Sequence, residues 1–71
     1  MNNPYIAIFV NGEVFNCYKA MSLSNLIEYF DFNINNIVVE YNEEIITNDK
    51  FSDIVFNNQD KVEIVTIVGG G

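Results

Sequence analysis

Apolar and polar residues alternate almost from the start of the chain. Tyr5-Ile6-Ala7-Ile8-Phe9-Val10 reads as a strand, because its alternation and its β-branched and aromatic content suit a half-buried pleated surface. Asn11-Gly12 follows, the strongest short signal for a two-residue type I′ turn, in which both central residues take positive φ. Glu13 to Tyr18 is then the returning strand. Ser22 is placed to cap a helix, although Asn25 three residues on is a weak substitute for the Glu or Gln of a capping box. Behind the cap, Leu23, Leu26, Ile27 and Phe30 recur at helical spacing and form one apolar face for packing on the hairpin. Asp31 to Asn36 is a polar loop. Ile37 to Tyr41 is a third strand with Ile37, Val39 and Tyr41 inward, and Asn42-Glu43 turns into a short fourth strand, Glu44 to Thr47. Phe51, Ile54 and Val55 lie in a connection with one helical turn, Asn57 to Asp60 is another turn, and Lys61 to Val68 is the last and longest strand. Its β-branched residues on both faces predict a central strand buried on both sides.

Hairpin, helix, short hairpin and long final strand predict an α+β fold. One main helix packs on one face of a mixed sheet of four to five strands, with the last strand beside the first. The third strand is expected to run parallel to neither neighbour. This is the β-grasp arrangement of ubiquitin-like domains, in one domain over residues 1–71 with residues 69–71 as a flexible tail.

Composition narrows the chemistry. At 71 residues and 49% hydrophobic, the chain is small but too apolar for a disordered segment. No run approaches the length of a membrane helix, and the opening Met1-Asn2-Asn3-Pro4 lacks the basic region of a signal peptide. Ten acids, three lysines and no histidine give a net charge of −7, a poor match for a phosphate backbone and a better one for a basic protein partner. Frequent asparagine and isoleucine with no arginine look like the coding bias of an AT-rich genome. That points to a bacterial cytoplasm, or to a plastid stroma if the bias is an organelle's.

The body of the chain offers no catalytic constellation. Without histidine or arginine, neither a Ser-His-Asp nor a Cys-His arrangement can be built, and no glycine-rich phosphate loop opens a helix. Cys17 is read as a buried, inert thiol with no disulfide partner, and Glu43-Glu44 as a solvated pair. What remains is the end. Gly69-Gly70-Gly71 close a chain whose one other glycine is Gly12. Two readings compete there: a frayed tail, as termini often are, and a terminus that is itself the working group. A C-terminal carboxylate, with a pKa of about 3.5, is ionised at neutral pH and a poor electrophile, so chemistry at its carbon requires activation, most simply as an acyl-adenylate. Glycines suit a narrow activating channel because they lack Cβ, and three extended residues reach about 10 Å.

From about Tyr5 onward the chain resembles the ThiS-type sulfur carriers of thiamine biosynthesis. The resemblance rests on Asn11-Gly12-Glu13, on Ser22-Leu23-Ser24-Asn25-Leu26-Ile27, on Ile37-Val38-Val39-Glu40-Tyr41-Asn42, and on Asp60-Lys61-Val62-Glu63-Ile64-Val65 leading to the glycines. The chain departs from that family at Asn48, where proline is usual, at Gln59, where glycine is usual, and in its third terminal glycine. The resemblance implies a group carrier rather than an enzyme, with no cofactor of its own. A ThiF-type enzyme would adenylate Gly71 with ATP and Mg²⁺. A persulfide donor would convert it to a thiocarboxylate, and a ThiG-type thiazole synthase would receive the sulfur. Gly69 and Gly70 would thread the activating channel, and the free carrier would be a monomer. Three alternatives stay open, the first two being a MoaD-type small subunit of molybdopterin synthase, which shares fold and tail, and a ubiquitin-like protein modifier. A plain binding module with an inert tail is the third. Val65 and Ile67 are the candidates for a docking patch, although the pattern of the last strand assigns both to the core.

Overall fold

The computed structural model describes residues 3–67. Gly69, Gly70 and Gly71 lie outside the described residues. Strands β1 (Tyr5–Val10) and β2 (Glu13–Tyr18) form the opening hairpin, with Val10 opposite Glu13 across the turn. Asn11 and Gly12 have φ of +51° and +83°, the type I′ geometry whose twist matches the strands it joins.

Helix α1 (Leu23–Tyr29) starts on a complete capping box. Ser22 Oγ accepts from the Asn25 N–H at 3.1 Å, and Asn25 Oδ1 accepts from the Ser22 N–H at 3.1 Å. Asparagine, one methylene shorter than glutamine, therefore closes the box that the sequence made look weak. The helix ends on two bonds of a Schellman motif, Asp31 N–H to the Glu28 carbonyl and Phe32 N–H to that of Ile27. Asp31 takes the left-handed position there, at φ +60°. Leu23, Leu26 and Ile27 are buried as predicted, but Phe30 is the C-cap residue and leaves the core stripe, 40% exposed.

A short 3₁₀ turn (Ile34–Asn36) leads into β3 (Ile37–Tyr41), then β4 (Glu44–Ile46), a 3₁₀ segment (Asn48–Asp53) that buries Phe51, and β5 (Lys61–Thr66). The sheet order is β2-β1-β5-β3-β4. β5 runs parallel to β1 and antiparallel to β3, and β3 is antiparallel to both its neighbours. This is the predicted mixed β-grasp sheet, with five strands where four to five were expected. Ile6, Ile8, Cys17, Leu26, Phe51 and Val62 belong to one buried cluster between sheet and helix.

The expectation for β5 needs one correction. The strand is central, but only Val62 and Ile64 are buried, while Lys61, Glu63 and Val65 face out. The single helix covers one face of the sheet, so β-branched residues on the other face signal strand propensity rather than burial.

The departures at Asn48 and Gln59 sit at informative backbone positions. Asn48 is the first residue of its 3₁₀ segment, after Thr47 in an extended conformation (φ −79°, ψ 153°), a place where proline fits. Gln59 has φ +70°, the left-handed region that glycine occupies without strain.

Candidate functional site

The site follows from what holds β5 in place, because β5 is the strand that runs into Val68 and the glycines. Its two long edges are used alternately. Asn42 N–H donates to the Lys61 carbonyl and Ile67 N–H to the Asn36 carbonyl, so the odd-numbered residues of β5 pair with β3. The even-numbered ones face β1: Asn11 N–H donates to the Val62 carbonyl at 2.8 Å.

At its start, β5 is tied down by a buried carboxylate. Asp60, 8% exposed, accepts on Oδ2 from the Tyr41 hydroxyl at 2.5 Å and from the Asn57 N–H at 2.8 Å, and on Oδ1 from Asn42 Nδ2 at 3.1 Å. Asn42 Oδ1 in turn accepts from the Lys61 N–H at 2.8 Å. Burial, then the hydrogen bond to Asp60 and its charge, push the Tyr41 hydroxyl up to about 12. A buried charge is tolerable when hydrogen bonds replace its hydration, and three donors do so here. The one cue to this latch in the sequence is an acid standing between a polar turn and a strand.

At its far end β5 is dressed differently. Val65 is 59% exposed, Ile67 49%, and Val38, directly opposite Val65 on β3, 38%. Ile45 on β4, opposite Glu40, is more exposed still. Val65 and Ile67 are thus not core residues. They belong to an apolar patch on the uncovered face of the sheet, bordered by the acidic pair Glu40 and Glu63, which face each other across β3 and β5. An apolar centre with a charged border is the usual make-up of a protein-docking surface.

The described residues hold one cysteine, ten carboxylates and three lysines besides their hydroxyl groups. Among them, no group of three His, Cys, Asp or Glu side chains is placed to hold a metal ion, and no helix is long and apolar enough to cross a membrane. Cys17 is buried in the core, and burial raises its thiol, as expected of an inert cysteine. Glu43, in the turn, and Glu44, the first residue of β4, are both exposed. The predicted site residues Gly69, Gly70 and Gly71 fall outside the described residues, so the structure places only the strand that leads to them.

Comparisons with known proteins fit this anatomy. The ThiS family model matches residues 4–71. An uncharacterized protein ycf40 of Porphyra purpurea is 48% identical over 71 residues, covering the whole of both chains. A thiazole synthase of Paramagnetospirillum magneticum is 31% identical over 64 residues, which are 90% of this chain and 20% of that protein. Among solved structures, the thiamine biosynthesis protein ThiS of Geobacter metallireducens superposes with a TM-score of 0.79 over 93% of this chain and all of its own. At 22% identity that likeness speaks for the fold.

Proposed function

The chain belongs to the ThiS family of ubiquitin-like sulfur carriers, and on that premise we propose that Gly71 carries sulfur for thiazole formation in thiamine biosynthesis. The Gly71 carboxylate attacks the α-phosphorus of ATP, bound with Mg²⁺ on a ThiF-type activating enzyme, and pyrophosphate leaves. A persulfide sulfur then attacks the acyl carbon and displaces AMP. Cleavage of the resulting acyl persulfide by a thiol leaves the Gly71 thiocarboxylate, the soft nucleophile that a ThiG-type thiazole synthase consumes. Gly70 and Gly69 give the slender approach. The protein contributes the acyl carbon and a docking face, and its partners contribute catalysis.

The observation that carries this reading is the position of β5. The strand that leads to the glycines is the middle strand of the sheet, clamped at its start by Asp60 and bonded through Ile67 to Asn36. The family match through Gly71 and the matching stretch of a thiazole synthase support the sulfur chemistry and its recipient. The Val38, Val65 and Ile67 patch with its acidic border is the proposed docking face, for partners that present apolar side chains ringed by basic ones. Kinship with the ycf40 proteins favours the plastid stroma as the compartment.

Intact-mass measurement after incubation with an activating enzyme, ATP and a sulfur donor tests the proposal. Replacement of oxygen by sulfur adds about 16 Da, and deletion of Gly71 abolishes the gain. The thiocarboxylate form then supports thiazole formation and not dithiolene formation. A mass that never changes, or a conjugate ladder on target lysines in its place, overturns the proposal.

A further inference from the structure

The described part of β5 outruns β1. The parallel pairing of the two strands covers Phe9 with Lys61 and Val10 with Val62, and β1 then gives way to the hairpin turn. The next β1-facing residue of β5 is Ile64, and there a side chain substitutes for the missing strand. Asn11 Oδ1 accepts from the Ile64 N–H at 2.7 Å, and Asn11 Nδ2 donates to the Ile64 carbonyl at 3.2 Å. One carboxamide thus supplies the donor and the acceptor that a strand residue would. Past it, Thr66 meets no strand on this edge among the described residues, while β3 still holds the other edge.

We infer that Asn11 is a positioning residue for the tail: its carboxamide is the last rung on the β1 side, and it fixes the direction in which β5 hands the chain on to the glycines. The inference rests on the proposed chemistry at Gly71 and names a determinant of its efficiency outside the tail. A tail whose stem wanders presents its end correctly for a smaller fraction of the time. The apparent dissociation constant for an activating enzyme then rises by the inverse of that fraction.

The fold supplies a matched control. Asn42 occupies the first position of the other two-residue turn, also with positive φ, and also makes two side-chain bonds, but to Lys61 at the start of β5 and to Asp60 just before it. Glycine fits both backbones and deletes both pairs of bonds. In the free protein, Asn11→Gly speeds amide exchange at Ile64 about tenfold, while Asn42→Gly speeds it at Lys61. In ATP–pyrophosphate exchange driven by an activating enzyme, Asn11→Gly raises the KM for the carrier about fivefold with kcat nearly unchanged, and Asn42→Gly leaves both near wild type. Equal rises in KM for the two variants would mean general loosening and overturn the inference, as would a wild-type KM for Asn11→Gly. A wild-type chain that drives no pyrophosphate exchange overturns the carrier reading instead. That failure is distinct, because all three chains are then silent while the exchange contrast at Ile64 persists.

Discussion

The two ends of β5 lie on one strand and are built on opposite plans. At the start, a buried carboxylate gathers a tyrosine hydroxyl, a backbone N–H and an asparagine amide, and that asparagine also bonds the strand. At the far end, one asparagine side chain holds the β1 edge, and Val65 and Ile67 are exposed and apolar. Redundant polar bonding suits a fixed point, because a satisfied buried network permits one arrangement and penalises the rest. Sparse bonding and an open apolar face suit a segment that must be gripped by something else. The strand is anchored at the end away from the proposed chemistry and shows its open apolar face at the end that leads toward it. This division suits a carrier, with a stem fixed at its start and an open face for a partner to dock on.

The sharpest way to break the comparison is to remove the anchor. Asp60→Ala leaves the Tyr41 hydroxyl, the Asn42 amide and the Asn57 N–H without their acceptor, and we expect a loss of about 3 kcal/mol, read by urea unfolding. For a chain of this size that is a large share of a total of about 4–10 kcal/mol. A loss below about 1 kcal/mol would show that the start of β5 is no better fixed than its end.

The next largest effect is read by alkali. The Tyr41 hydroxyl is raised from its ordinary 10 to about 12 by burial, by its bond to Asp60 and by that residue's charge. A tyrosine raised in the folded state favours its neutral form there. Its contribution to stability is therefore complete below pH 10 and is lost as pH climbs through the folded value near 12. Unfolding free energy should fall over that window. Tyr41→Phe should be less stable by about 1 kcal/mol at neutral pH and show a shallower alkaline decline. Tyr5 is also raised, first by its hydrogen bond with Tyr18, so Tyr5→Phe is the comparison that isolates the latch. If the two variants decline alike, the Tyr41–Asp60 bond contributes nothing special.

Much of this anatomy was legible in the sequence, and what was missed has physical reasons. The hairpin was written in Asn11-Gly12 because few dipeptides accept positive φ twice. The helix was written in the spacing of Leu23, Leu26 and Ile27, and the place of the last strand in the order of elements. The exposure of Val65 and Ile67 was not legible, since a β-branched residue looks the same on a covered face as on a bare one. Nor was the Asp60 latch, whose members come from two stretches, Tyr41-Asn42 and Asn57 to Asp60, that meet only after folding. The second duty of Asn11, as a surrogate strand residue for Ile64, was hidden behind its first as a turn former.

The smallest effect concerns the turn that carries Asp60. Gln59 sits at φ +70°, its N–H bonded to the Ala7 carbonyl at 2.6 Å. A side chain in the left-handed region costs about 1 kcal/mol, and glycine avoids that cost while keeping the N–H. Glycine also widens the unfolded ensemble, which offsets part of the gain. Gln59→Gly should therefore stabilise by about 0.5 kcal/mol, read as a higher urea midpoint with an unchanged slope. The gain should vanish when it is combined with Asp60→Ala, because without the carboxylate the turn no longer has to hold that conformation. Strict additivity of the two substitutions would mean that turn and latch act independently, and the anchor would then be a set of separate bonds rather than one network.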